Sequence, residues 1–345
     1  MVDSVARWIR RLCIAGVLLC FMVVVLGAYV RLTAAGLGCP DWPGCYGHLT
    51  PLGVAHSVSA QAAYAGHPIE PGKAWREMIH RYAVGTLSVI VILVTALSLS
   101  ARRQRVVSVP LALVLFATLI MQALLGMLTV TWRLNPLIVT LHLLFGMTTL
   151  GLFWWLLLSL PRGSWGATAL QGAGHAVSGG GASTLVHARR LTLLGLAALA
   201  LQIALGGWTS SNYAAIACPD FPTCQNAWWP HGDFHNAFTV WRGLGVNYEG
   251  GVLDNSARVA IHFTHRLGAL VTTSALALAA LFVLQRRSLP AARPRAWAVL
   301  AALALQLTIG ISMVLKTFPL WLATAHTAGA ALLLLATLAL LRALS

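Results

Sequence analysis

The chain has 345 residues; 58% are hydrophobic, 9% are charged, and the mean hydropathy is +0.78. Apolar runs of ~20 residues, the length that crosses a bilayer as a helix, exclude a soluble globular domain. The net charge of +15 sits largely in short loops between those runs, which excludes a nucleic-acid-binding reading.

Eight spans follow one another, at roughly 12–32, 79–100, 107–131, 136–160, 191–212, 258–284, 296–316 and 319–341. None alternates with the period of two that marks a barrel strand. The expected fold is an all-α integral membrane protein with eight transmembrane helices. Span one follows a basic segment (Arg7, Arg10, Arg11), as a signal peptide would. Its apolar core is longer than a signal core, and its counterpart at 191–212 is internal, so span one is expected to be retained. Cys13 and Cys20 lie inside it and read as small buried hydrophobes.

Span one ends in LGAYVRLTAAGLGCPDWPGC, Leu26 to Cys45, and span five ends in LGGWTSSNYAAIACPDFPTC, Leu205 to Cys224. The two stretches align without a gap, 179 residues apart. Later markers repeat in the same order: His80 with His265, Gln122 and Gly126 with Gln306 and Gly310, His142 with His326. A four-helix unit is therefore written twice. Four spans return the chain to its starting side, so the halves run in the same sense, and a pseudo-twofold axis along the membrane normal is expected. Residues 1–160 form the first four-helix bundle, 189–345 the second. The Gly/Ser-rich stretch 161–188 reads as a cytoplasmic linker.

With eight spans both termini share one side. That side collects fourteen arginines against one acid, Asp3, and the other holds nine basic and seven acidic residues. The positive-inside rule makes the arginine-rich side cytoplasmic. Cys39, Cys45, Cys218 and Cys224 then face outward, where disulfides persist. A stiff loop with two prolines suits a structural bridge within each pair, although a redox-active pair and other pairings are also allowed. The long loops 39–76 and 213–257 lie outside as well, which places the chemistry near the outer face. The Trp- and His-rich run QNAWWPHGDFHNAF in the second of them suits a lid or an interfacial cap.

Ionisable side chains inside spans are costly and mark function. His80, His142, His265 and His326 lie at similar depth near the outer leaflet, two per half, from the second and fourth helix of each unit. Two imidazoles on facing helices suit the two axial positions of a haem iron, whereas a tetrahedral ion needs three or four ligands. A hydrogen-bonded packing role would explain one such histidine, but four at repeated positions argue against it. Three residues before His80 stands Glu77; three before His265 stands His262. This is the clearest asymmetry between the halves. A carboxylate beside one site suits a proton acceptor or a stabiliser of developing positive charge, and its plain alternative is a helix-start acid paired with Arg81. Arg81 and Arg266 read either as partners of haem propionates or as snorkelling arginines.

GLGCPDWPGC after span one, EMIHR at the start of span two, NYEGG in the third outer loop and HFTHR at the start of span six together resemble the haem A synthase family. The resemblance covers essentially the whole chain. It implies oxidation of the C8 methyl group of haem O to a formyl group, giving haem A for terminal oxidases. It implies haem O between His80 and His142, a haem b cofactor between His265 and His326, and Glu77 as the essential acid. It places Cys39 and Cys45 on the first cysteine pair and Cys218 and Cys224 on a second pair that forms a disulfide. A substrate iron held by two histidines favours electron withdrawal, or release of one histidine during turnover. Expected partners are haem O, the haem O synthase (a farnesyltransferase) that supplies it, membrane lipid and an electron partner that the sequence does not name. A homo-oligomer is allowed, and nucleic acid is not expected. With no Arg/Ser-rich transit segment, a prokaryotic plasma membrane is the expected location. The rival readings are a di-haem b cytochrome exchanging electrons with quinone, a thiol oxidoreductase and a haem-handling transporter.

Overall fold

A computed structural model describes residues 2–54, 62–64, 69–104, 107–160 and 179–345. Eight long helices carry it: α1 (Val2–Leu32), α2 (Pro71–Ser100), α3 (Val109–Thr131), α4 (Pro136–Ser159), α5 (Gly179–Ser211), α6 (Asn255–Gln285), α7 (Arg293–Leu315) and α8 (Leu320–Ala343). All eight are long and apolar enough to cross a membrane. The described residues contain no strand, only isolated bridges at Cys45–His48 and Cys224–Ala227.

Several helices outrun their apolar runs. Proline in the first turn of α2, α3, α4 and α7 starts each one, with its fixed φ and no amide to leave unpaired. Asn135 and Asp254 cap α4 and α6 by accepting from the amides of Leu137 and Ala257. Hydropathy reports only the lipid-immersed part of a helix, so it misses these polar turns. Glu77 and His80 consequently lie seven and ten residues into α2, not at its start. Likewise α5 begins at Gly179, so 179–188 is helix where a linker is expected from composition; the rest of that stretch, 161–178, lies outside the described residues.

Within each half the helices close a ring of neighbours. In the first, α1 packs on α2, α2 on α3, α3 on α4 and α4 on α1; in the second, α5 to α8 do the same. The halves meet through α1, α4, α5 and α8. One apolar core runs through both and includes Cys13 and Cys20, buried as expected. Across the seam the indole of Trp154 donates to the Leu335 carbonyl at 2.9 Å, and Gly151 packs against Leu338.

Backbone turns repeat as well. Arg133 and Leu134 leave α3 with positive φ, and Thr317 and Phe318 leave α7 the same way. The matching bonds run from Leu134 to Thr129 and from Phe318 to Met313, each at 2.8 Å. Ala34 and Tyr213 repeat the pattern after α1 and α5.

Candidate functional site: four histidines under two disulfide loops

Each cysteine loop is tied by its aspartate. The Asp41 carboxylate accepts from the amides of Tyr46 (2.6 Å) and Gly47 (2.9 Å), both at positive φ. Asp220 accepts from Gln225 (2.6 Å) and Asn226 (3.0 Å), again both at positive φ. A carboxylate that collects two amides holds a tight left-handed turn and offsets the strain of its non-glycine residues. Disulfides Cys39–Cys45 and Cys218–Cys224 close the loops, each with Cα atoms 4.7 Å apart. Burial pushes the Asp220 carboxyl up, but bonds from the Thr223 hydroxyl and the Asn226 and Gln225 amides outweigh it and hold the group below its ordinary value.

An arginine one helix inward holds each loop. Arg81 donates to the carbonyl oxygens of Asp41 (2.9 Å), Pro43 (3.2 Å) and Gly44. Arg266 donates to Thr223 (2.7 Å) and Cys218 (2.9 Å). Both guanidiniums, expected at propionates or as snorkelling groups, donate to loop carbonyls. Arg81 alone has a carboxylate partner, since its second nitrogen pairs with Glu77.

Glu77 is buried between that guanidinium and the first loop. Its second oxygen accepts from the Cys39 amide at 2.9 Å. Its depth in α2 removes it from the first turn, where the helix dipole would explain an acid. At the matching place in α6 stands His262, also buried, with its ring 6.1 Å from that of Phe318. The loop-facing acid is a property of the first half.

Below the loops each of the four histidines faces a glycine on a neighbouring helix. A Cβ on Gly27 of α1 would lie 3.0 Å from the His80 ring, and one on Gly206 of α5 would lie 3.3 Å from His265. Gly126 of α3 stands to His142, and Gly310 of α7 to His326, at 3.4 and 3.0 Å. The missing side chain gives the imidazole its place between two helices. Gly126 and Gly310 are visible in the sequence as repeat markers; Gly27 and Gly206 lie inside the aligned ends of spans one and five, and only the fold gives all four a purpose. Gln202 and Gln306 sit against the second-half rings, with amide nitrogens 3.1 Å from His265 Nδ1 and 3.3 Å from both nitrogens of His326. Gln122 reaches only the His142 carbonyl, at 3.1 Å. In the first half the Nδ1 atoms of His80 and His142 are buried with no hydrogen-bond partner among the described residues.

These residues fit a haem. The His265 and His326 rings have centroids 6.5 Å apart, room for one ion between two imidazoles at ~2 Å per metal–nitrogen bond. Among the described residues no three His, Cys, Asp or Glu side chains form a ligand set, which disfavours a tetrahedral ion. Orphaned ring nitrogens in an apolar interior call for a partner.

The second outer loop also reaches across the seam. Tyr248 donates its amide to the Arg133 carbonyl at 3.1 Å, and Trp241 packs edge-on against Trp132 with centroids 5.5 Å apart. Its one-turn helix, Phe234–Ala237, is held to α5 by the Trp208 indole, 2.9 Å from the Ala237 carbonyl.

Comparison with known proteins agrees with this architecture. The family model COX15-CtaA, described as cytochrome oxidase assembly protein, matches residues 10–338. The chain is 40% identical over 331 residues to a haem A synthase of Shewanella oneidensis, a match that covers 95% of this chain and 93% of that one. Shorter matches reach a haem A synthase of Listeria welshimeri, 34% identical over 127 residues (36% of this chain, 37% of that protein), and one of Lysinibacillus sphaericus, 29% identical over 146 residues (42% of each). Matched over nearly its whole length, the chain belongs to the COX15-CtaA family of cytochrome oxidase assembly proteins.

Proposed function

We propose that this chain is a haem A synthase, which oxidises the C8 methyl group of haem O to a formyl group and so provides haem A for terminal oxidases. The observation that carries the reading is an asymmetry laid over a repeat. Four imidazoles stand on matched glycines, and a single buried carboxylate, Glu77, stands with only the first pair. The near-full-length similarity to the Shewanella oneidensis haem A synthase supports it.

In this reading residues 1–160 take haem O between His80 and His142. Residues 189–345 keep haem b between His265 and His326, and 161–188 join the halves. Haem, when bound, supplies the one-electron chemistry that the side chains lack. Glu77 is the catalytic residue, taking a proton or stabilising positive charge as the methyl carbon reacts. Its two oxygens are fixed by Arg81 and the Cys39 amide before substrate arrives, so the carboxylate is preorganised. Gln202 and Gln306 orient the rings of the second pair, as suits a resident cofactor. Among the described residues the Nδ1 atoms of the first pair have no such partner, as suits a site that exchanges its occupant.

The two halves are related by a pseudo-twofold axis along the membrane normal, in a prokaryotic plasma membrane. The arginine-rich side with both termini is cytoplasmic, and the disulfide loops lie outside. A farnesyltransferase that makes haem O supplies the substrate.

Co-expression with a source of haem O, followed by chromatography of the extracted pigments, tests the assignment. Haem A together with haem b is expected from the native chain. Haem O with haem b, and no haem A, is expected from Glu77→Ala. Haem b alone from the native chain points to a di-haem cytochrome and overturns the assignment.

A further inference from the structure

The motif Asn247-Tyr248-Glu249-Gly250-Gly251 has no part in the sites described so far, yet it lies on the seam between the halves and covers two arginines. Arg31 stands at the outer end of α1, one turn beyond Gly27 and on the same face. Its Nη2 donates to the Ser210 carbonyl at 2.7 Å, and its guanidinium lies over the Tyr213 ring, 4.1 Å from the centroid. Arg258 stands in the first turn of α6, two turns before His265 on one face. The Nε atoms of both arginines are buried, with no hydrogen-bond partner among the described residues.

Gly251 brings the two together. Its φ is +86°, and a Cβ there would lie 3.0 Å from Arg258 Nη2, 3.1 Å from the Tyr213 ring and 3.4 Å from the Asn212 carbonyl. Only glycine lets the loop come down so far. Tyr248 anchors the same loop on Arg133, beside the start of α4, the helix of His142.

Among the described residues neither arginine forms an ion pair. The ion pairs among the described residues are Lys73–Glu70 and Arg81–Glu77. Glu249 acts on Arg31 only through space. Arg258 sits at the positive end of its helix, where a cation is disfavoured. Both side chains are half-buried, and a guanidinium taken even partly out of water without an anion costs free energy.

We propose that this seam binds a pair of carboxylates, the propionate edge of the porphyrin held in the first half, with the 247–251 loop as its cover. The inference rests on the haem reading above. Arg31 and Arg258 carry guanidinium forks whose planar donors match a carboxylate, and the Nε of each is still without a partner among the described residues. Arg258 is carried by the helix of His265, but Arg31 shares a helix face with the glycine under His80 and the cover is fastened to the turn that leads to His142; these two relations assign the edge to the first half.

The test is titration of the purified protein, carrying its resident haem, with ferric haem b and with its dimethyl ester, followed by Soret absorbance. The native chain is expected to take the free acid about tenfold more tightly than the ester. Arg31→Gln and Arg258→Gln are each expected to weaken the acid by about tenfold and leave the ester within about twofold. Arg31→Lys, which keeps the charge without the fork, is expected to fall between. An unchanged resident-haem band shows that the variants are folded. Equal weakening of acid and ester overturns the proposal, as does a preference that survives both glutamine variants. A preference abolished by phosphatidylglycerol vesicles, while the ester still binds, assigns the seam to lipid phosphate and overturns it too. A native chain that binds neither form sinks the haem reading itself, a different failure.

Discussion

The Arg31 guanidinium donates to the carbonyl oxygen of Ser210 at 2.7 Å, and Ser210 is the residue 179 positions on that occupies Arg31's own place in the second copy. A side chain that touches its own counterpart is what the pseudo-twofold proposed above calls for at its axis. The contacts of α4 and α8 are reciprocal in the same way. Trp154 bonds Leu335, the counterpart of Gly151, while Gly151 packs on Leu338, the counterpart of Trp154. Such i-to-j and j-to-i pairing supports the proposed twofold, since isologous interfaces pair in this way.

That joint has little spare room. A Cβ on Gly151 would already lie 3.0 Å from Leu338. Gly151→Leu is expected to destabilise the protein by about 1–3 kcal/mol through overpacking. Adding Leu338→Ala should recover part of the loss. Thermal melting of the two single variants and the double reads this directly, and strict additivity would contradict the contact.

On the proposed assignment of haem O to the first pair and haem b to the second, the glycines under the histidines separate the two pigments. Gly206→Leu and Gly310→Leu push on His265 and His326 and are expected to remove haem b from the purified protein. Gly27→Leu and Gly126→Leu push on the first pair and are expected to leave haem b in place while haem O and haem A are lost. Quantifying the extracted haems distinguishes the two outcomes.

Arg81 and Arg266 hold equivalent loops but are not equivalent in stability. Arg81→Ala leaves Glu77 buried without its cation, a loss of about 3–5 kcal/mol. Arg266→Ala removes two bonds to carbonyl oxygens and no ion pair, a loss of about 1–3 kcal/mol. The melting temperature should therefore fall further for Arg81→Ala. Equal shifts would show that the Glu77 pair contributes nothing.

Asp220 sets a pH dependence in the second loop. Its folded value lies below the ordinary one because Thr223, Asn226 and Gln225 donate to the ionised form. A depressed carboxylate contributes stability that is fully present above its unfolded value and is lost as pH falls through the folded value. The amides of Gln225 and Asn226 should resist hydrogen exchange above the ordinary aspartate range and lose that resistance below it. In Asp220→Asn the protection should be weak at every pH.

Much of this protein was legible in the chain itself. Span count follows from run length, because a bilayer fixes how many apolar residues a helix needs. The repeat was legible because the cysteine loops, Gln122 with Gln306 and the four histidines recur in register. The asymmetry of Glu77 and His262 could be read from two letters. Helix starts could not, because Pro71 and Asn255 begin helices in polar sequence that hydropathy does not register. Nor could the partners of Arg81, Arg266 and Arg31, since a guanidinium's charge says that it needs acceptors and not which ones lie near. The glycines acquire meaning only against the imidazoles they face on other helices, Gly27 against His80 and Gly206 against His265 among them. Sequence determined the inventory and its duplication, for those are properties of order along the chain. Tertiary structure alone decided which member of each duplicated pair meets which neighbour, because helix packing and the fold of the outer loops, not sequence distance, bring those side chains together.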